Sequence, residues 1–190
     1  MNFDTGKERI KAEFHRLFFP LMQEIYNITS LLFRSRRKSA NLVEDTYSTA
    51  YREYLNNPSQ PRPRLWLLSI LNENYMKLNG SDNFGNSKID ADEFSKMMVD
   101  GKEIESMSNG GGTREIVNKG KEVLFDTLHG IPSKWRMAYL LNSIGELKYD
   151  EVGKVMNIPK EEVSEAIKNA NIIIERSVLD RSDEKTLITN

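Results

Sequence analysis

Residues 131–174 constrain the fold of this chain more than any other stretch, because their apolar side chains recur at helical spacing on both sides of a turn. Asn157-Ile158-Pro159 predicts that turn. Asn tolerates the left-handed backbone that ends a helix, and Pro fits the first turn of the next helix. Gly153 is expected where two helices approach closely, since it lacks a β-carbon. The pattern predicts a helix-turn-helix.

Each side of this turn offers one apolar face. The helix before the turn carries Val152, Val155 and Met156. The helix after it carries a stripe at i, i+4, i+7 and i+11, formed by Val163, Ile167, Ala170 and Ile174. We expect both faces to be buried in a small helical domain.

The first part of the chain also has the period of helices. Phe14, Leu17 and Phe18 precede Pro20, which favours a helix start and not a helix interior. Three further helices are predicted from the stripe Leu21, Ile25, Ile28 and Leu32, from the face Val43, Tyr47, Ala50 and Tyr54, and from residues 64–77 after a proline-rich loop. The fold class is predicted to be all-α.

Composition excludes several functional classes. The 190 residues include no cysteine and only two histidines, His15 and His129, which argues against disulfides, metal sites and cofactors. We find no glycine loop for a nucleotide and no nucleophile elbow, so the chain is not expected to be an enzyme. No signal peptide or bilayer-length apolar run is evident, which predicts a soluble, cytoplasmic protein with no membrane partner.

Charge is distributed unevenly although the net charge is −1. Residues 1–79 contain 12 basic and 8 acidic residues, residues 80–120 contain 5 and 8, and residues 121–190 contain 10 and 12. The partial charges of +4, −3 and −2 add up to −1. Attraction to a polyanion is therefore expected in the first part.

Residues 80–120 are predicted to be a flexible acidic linker, with Gly110-Gly111-Gly112 as its most flexible point. A coil of this length spans on the order of 35 Å, about one turn of DNA. Residues 82–93 partly match a calcium loop, but Phe84 and Ser87 occupy positions that need a ligand and a glycine. An ordinary acidic linker, with a short helix near 89–98, is the expectation.

Two stretches together resemble a known family. "NLVEDTYSTAYREY" followed by "RPRLWLLSILNENYMK" is similar to region two of bacterial RNA polymerase sigma factors of the extracytoplasmic-function (ECF) group. "LHGIPSKWRMAYLLNSIGELKYDEVGKVMNIPKEEVSEAIKNANIIIERSVL" resembles region four of the same group. The resemblance covers about residues 10–79 and 121–179, in the family's order. It implies two small helical domains, 1–79 and 121–179, with a tail at 180–190.

The resemblance implies core RNA polymerase as a partner, contacted at its clamp helices by region two and at its flap by region four. The residues implied at the clamp, as contacts or as support, are Leu42, Val43, Glu44, Asp45 and Tyr47. From the residues themselves, Val43 and Tyr47 suit the core, and the two carboxylates suit ion pairs with the polymerase. Trp66 is expected to pack its helix.

The resemblance also implies contacts with promoter DNA. In region two the candidates are Arg34, Arg36, Arg37, Lys38, Arg62, Arg64, Asn72, Asn74 and Lys77. In region four they are Lys148, Tyr149, Lys160, Ser164, Lys168, Asn169 and Asn171. For the basic turn 34–38, a solvated helix end that favours cations is the alternative to phosphate contact.

Two departures from the family weaken the expected DNA contacts. Asn72 and Glu73 stand in the −10-reading helix where many relatives have a basic residue and an asparagine. The recognition helix has more acidic than basic residues: Glu161, Glu162 and Glu165 against Lys160 and Lys168. Carboxylates are repelled by phosphates, so this helix is expected to bind DNA poorly by itself.

Three hypotheses remain at this stage. The chain is a sigma factor with weak promoter reading that a separate DNA-binding or RNA-guided protein recruits to DNA. Alternatively, it is an ordinary sigma factor with an unusual promoter preference. In the third, it is a sigma-like decoy that binds an anti-sigma factor and does not act on DNA.

Overall fold

The computed structural model describes residues 4–80 and 125–187, and every regular element in these two ranges is helical. The predicted all-α fold class is confirmed. Except for Gly80, the predicted linker lies outside the described residues, and so do the calcium-like pattern and the expected helix near 89–98. None of the described helices is long and apolar enough to cross a bilayer.

The first module, residues 4–80, is a bundle of four α-helices with one short 3-10 helix. Its elements are α1 Asp4–Phe18, the 3-10 helix Phe19–Leu21, α2 Met22–Leu32, α3 Arg36–Asn56 and α4 Pro63–Gly80. Pro20 lies in the 3-10 helix and marks the bend between α1 and α2. This proline therefore separates two helices, as its position in the sequence predicts.

An aromatic cluster joins α1, α3 and α4 in the core of this module. Phe18 lies 5.3 Å from Trp66 and 5.5 Å from Tyr54, measured between ring centroids. The Tyr47 hydroxyl donates a hydrogen bond of 2.9 Å to the Phe18 carbonyl, which ties α3 to the end of α1. Trp66 thus packs its helix onto α1 and α3, as expected.

Helix α3 begins at Arg36, earlier than the apolar pattern from Leu42 indicates. Ser35 is its N-cap, and its hydroxyl accepts a hydrogen bond of 3.4 Å from the Lys38 backbone N–H. The basic residues 36–38 therefore form the first turn of a helix. Cations are disfavoured there by the helix dipole, so the expectation of a cation-favouring helix end is wrong.

The second module contains the predicted helix-turn-helix. Its elements are α5, described over 125–130, α6 Ser133–Ser143, α7 Tyr149–Met156 and α8 Lys160–Leu187. Asn157 ends α7 in the left-handed conformation, with φ 53° and ψ 48°, and the Ile158 N–H bonds to the Gly153 carbonyl at 3.0 Å. The predicted boundary between domain and tail, after residue 179, falls inside helix α8, which ends at Leu187.

The two modules pack against each other. Helix α4 lies along α7 and also contacts α6, while α2 contacts α6. Buried side chains of both modules form one continuous apolar cluster. The helix-turn-helix is therefore held against the first module.

Gly153 is the close-approach position of the turn, and substituting it should destabilise the protein. A β-carbon there would lie 2.9 Å from the Ile158 carbonyl oxygen, a backbone atom that cannot move aside easily. We expect Gly153→Ala to lower the free energy of unfolding by about 1–3 kcal/mol. Urea denaturation followed by circular dichroism measures the change.

Gly130→Ala is the matched control, because a β-carbon at Gly130 meets nothing within 4 Å. Its stability should equal or slightly exceed that of the wild type, since alanine favours helices. Equal stabilities of the two variants would contradict the close approach at Gly153.

Candidate polymerase and nucleic-acid interface

The residues predicted to bind polymerase occupy two different positions on α3. Leu42, Val43 and Tyr47 are buried in the core, and burial raises the pKa of the Tyr47 phenol, with nearby Glu24 adding to the effect. Glu44 and Asp45 are half-exposed on the same helix. The buried residues can therefore only support this surface, and the two carboxylates can contact a partner directly.

The predicted DNA-binding residues of the basic turn lie at the first turn of α3. Arg36 and Arg37 are exposed, and Lys38 is also at the surface. Arg34 forms an ion pair with Asp126 of α5 in the second module. The exposed cations add to the positive end of the helix dipole, which suits an anionic partner.

Arg64, another predicted phosphate contact, forms hydrogen bonds to residues of both modules. Its guanidinium forms a forked ion pair with Glu24 of α2, at 2.9 Å from Nε to Oε2 and 2.8 Å from Nη2 to Oε1. The same Nη2 donates a hydrogen bond to the Gly145 carbonyl just after α6. Hydrogen bonding to Glu24 is the main cause of the raised pKa of Arg64.

The remaining region-two candidates have different environments. Arg62 is exposed in the loop before α4, and Lys77 pairs with Glu73 at 3.9 Å along α4. Asn72 is only 7% exposed, and its Oδ1 atom has no hydrogen-bond partner among the described residues. Asn74 Nδ2 is also buried without a hydrogen-bond partner among the described residues. Among the candidates on the predicted −10-reading helix, Asn72 is thus buried, whereas Lys77 remains at the surface.

Ion pairs also occupy part of the helix-turn-helix surface. Lys160 Nζ lies 2.9 Å from Asp150 Oδ1, and this contact lowers the pKa of the Asp150 carboxyl and raises that of the Lys160 ammonium. Glu162 pairs with Lys134 of α6. Of the other predicted contacts, Lys148 is exposed and Tyr149 is half-buried. One of the two lysines of the recognition helix is therefore already held by a carboxylate.

Helix α8 turns a mixed and acidic face toward solvent. Its apolar stripe Val163, Ile167 and Ala170 is buried, as the sequence predicts, and Ile174 is partly buried. Exposed on the other side are Glu161, Ser164, Glu165, Lys168, Asn171 and Glu175, while Asn169 is half-buried. Arg176 is exposed on the same face, which therefore holds three carboxylates and two cations, and its net negative charge disfavours a phosphate backbone.

Arg136 is a central residue that the sequence analysis missed. It is 8% exposed and donates hydrogen bonds to the carbonyls of Leu32 at 3.3 Å, His129 at 3.1 Å and Ile131 at 2.9 Å. Its Nη1 also lies 3.0 Å from the ring nitrogen Nδ1 of His129. Nothing in a single sequence marks an arginine whose acceptors are backbone carbonyls.

His129 must be neutral to receive this contact. Burial lowers the pKa of its imidazole, and the positive charges of Arg136 and Arg34 lower it further, while Asp126 opposes them. With Arg136 as the donor, Nδ1 is the acceptor and the proton of the neutral ring belongs on Nε2.

No metal centre is formed by the part of the chain that the structure describes. Within residues 4–80 and 125–187, no three His, Asp or Glu side chains are grouped so that they could hold an ion.

Comparisons with known proteins find sigma factors. The chain is 30% identical over 88 residues to proteins named ECF RNA polymerase sigma-E factor, from Salmonella typhimurium and from Escherichia coli K12. The match covers 42% of this chain and 46% of each relative, so it spans less than half of their length. No family model matches the sequence.

The fold is similar to that of a solved sigma factor. That structure is the sigma factor RpoE of Bartonella quintana in complex with the anti-sigma factor NepR, with a TM-score of 0.57 and 13% identity over 87% of this chain and 96% of the other. The two helical modules are those of the sigma-factor fold. With the sequence match, the predicted resemblance to the ECF group is confirmed.

Acidification should destabilise the site around His129. Its pKa is lowered in the folded protein, so below about pH 6.5 the unfolded chain binds a proton that the folded site resists. This contribution to stability is present at neutral pH and is lost as the pH falls. Urea unfolding at pH 7.5 and pH 5.5 measures the loss.

His129→Asn is the matched control, since the Asn oxygen can accept from Arg136 but does not titrate. This variant should lose less stability than the wild type between the two pH values. An identical loss in both proteins would show that His129 does not contribute.

Proposed function

We propose that this chain is an ECF-type sigma factor that binds core RNA polymerase and directs transcription initiation, with weak promoter reading of its own. A separate DNA-binding or RNA-guided protein then brings it to its promoters. Weak promoter reading is supported by the exposed acidic face of α8 and by Lys160, which is held in an ion pair with Asp150.

The polymerase contact is supported by the surface of α3. Glu44 and Asp45 project from a helix that buried Leu42, Val43 and Tyr47 anchor in the core, so their positions are well defined. Carboxylates held on a rigid helix suit pairing with basic groups of a partner. The sigma-E relatives carry "RNA polymerase" in their name, which agrees with this partner.

A sigma-like decoy is the second candidate. Its support is the similar RpoE structure, which was solved with the anti-sigma factor NepR. A decoy needs the fold but not the polymerase contact. Binding to core polymerase therefore separates the two functions.

The first test mixes the purified chain with core RNA polymerase and follows complex formation by gel filtration and fluorescence anisotropy. We expect a stable complex at moderate salt, which Glu44→Arg weakens by about tenfold or more because it places a cation against basic groups. Absence of a complex would exclude the sigma-factor function and favour the decoy.

Glu53→Arg is the matched control for the charge change. Glu53 is exposed on the same helix, nine residues away, which places it about 180° around the helix from Glu44. This variant should bind polymerase as the wild type does. If both variants lose affinity equally, the Glu44 surface is not the contact.

The acidic face of α8 has its own test. Glu165→Arg replaces a repulsive charge with an attractive one, so we expect about tenfold tighter nonspecific DNA binding at low salt and a steeper salt dependence. Fluorescence anisotropy with a random duplex measures both quantities.

Glu175→Arg makes the same charge change about 15 Å further along α8. Glu175 is also exposed, but it lies beyond the predicted groove-facing positions. Its effect on DNA affinity should be smaller. Unchanged affinity in the Glu165 variant would show that this part of the helix does not face DNA.

A further inference from the structure

We infer that the chain, before it binds its partners, holds its two modules in a closed arrangement through two reciprocal arginine contacts, here called the arginine staples. Arg64 is the first staple and Arg136 is the second. Engagement of polymerase and DNA requires the staples to break. This last step rests on the proposed function, whereas the closed arrangement itself does not.

The first staple runs from the first module to the second. Glu24 holds the Arg64 guanidinium in a forked pair, and from that fixed position Nη2 reaches the Gly145 carbonyl just beyond α6. Gly145 lies two residues beyond the end of α6, and Arg64 donates a hydrogen bond to its carbonyl across the module boundary.

The second staple runs in the opposite direction. Arg136 of α6 donates to the carbonyl of Leu32, the last residue of α2, and also to carbonyls at the end of α5. One buried guanidinium thus donates hydrogen bonds to carbonyls at helix ends in both modules. Its charge is balanced by carbonyl dipoles, so separating the modules removes part of its solvation.

The closed arrangement covers the helix that the family uses to read the −10 element. Helix α4 lies along α7, and Asn72 is buried with its Oδ1 unpaired among the described residues. A buried amide without a partner is costly, and opening would return it to hydrogen bonding.

Arg34 strengthens the same boundary. Its ion pair with Asp126 joins the loop after α2 to α5. Both groups are about half exposed or more, so this pair is screened by solvent and contributes little to stability. Two of the predicted phosphate contacts, Arg34 and Arg64, are therefore occupied by the chain itself in the closed arrangement.

The test measures the distance between the modules in the full-length chain. Because the chain has no cysteine, Glu53→Cys in α3 and Asn171→Cys in α8 introduce the only two sites for spin labels, and both positions are exposed. Double electron–electron resonance should give one narrow distance distribution for the wild type. Arg64→Met with Arg136→Met should add a longer, broader distribution, with the ratio of open to closed chains rising about tenfold or more.

Two further variants keep the measurement decisive. Arg9→Met removes the same charge from an exposed position on α1 and should leave the distribution unchanged. Arg64→Lys keeps the charge but cannot hold Glu24 in a fork and reach Gly145 together, so it should open a smaller fraction. If the double variant unfolds, as shown by loss of its helical circular dichroism signal, the Arg64→Lys variant tests the proposal instead. If the folded staple variants gave the same distance distribution as the wild type, the proposed role of the staples would be wrong.

Core RNA polymerase added to the labelled wild type tests the second step. A shift to the long distance within the complex supports opening on engagement. A complex that keeps the short distance overturns that step. If no complex forms, the proposed function fails, while the measurements on the protein alone still decide whether the staples close the chain.

Discussion

The two modules meet at a buried guanidinium that has no carboxylate partner among the residues that the structure describes. Arg136 is buried and is solvated by backbone carbonyls from α2 and α5. Neutral acceptors of this kind compensate a buried cation only when several of them converge and the local helix dipoles are favourable. Such convergence needs both modules in place, so the arginine and the boundary around it stabilise each other.

The helices and the turn could be predicted from sequence because their determinants are local. Apolar periodicity located the buried stripe of α8, and Asn157 and Gly153 have the conformation and close approach that their residue types indicate. The module boundary could not be predicted in the same way. Arg34 and Arg64 have side chains that suit phosphate and carboxylate equally, and the carbonyl acceptors of Arg64 and Arg136 leave no signal in a sequence.

The start of α3 shows a second limit of pattern reading. Arg36, Arg37 and Lys38 are polar and carry no periodic apolar signal, yet Ser35 caps the helix ahead of them. The cap satisfies a backbone donor, and the surrounding bundle offsets the unfavourable dipole. For the predicted polymerase surface on α3, only burial distinguishes the supporting residues from Glu44 and Asp45.

The outward face of α8 is structurally independent of its buried stripe. Val163, Ile167 and Ala170 fix the helix in place, whereas Glu165 and Lys168 point to solvent. Substitutions on such a surface change stability by little. A lineage in which another protein selects the promoter can therefore accumulate acidic residues on this helix without loss of folding. Substitutions to basic residues on this face would be equally well tolerated by the fold, so the charge of the face can change in either direction without loss of the helix.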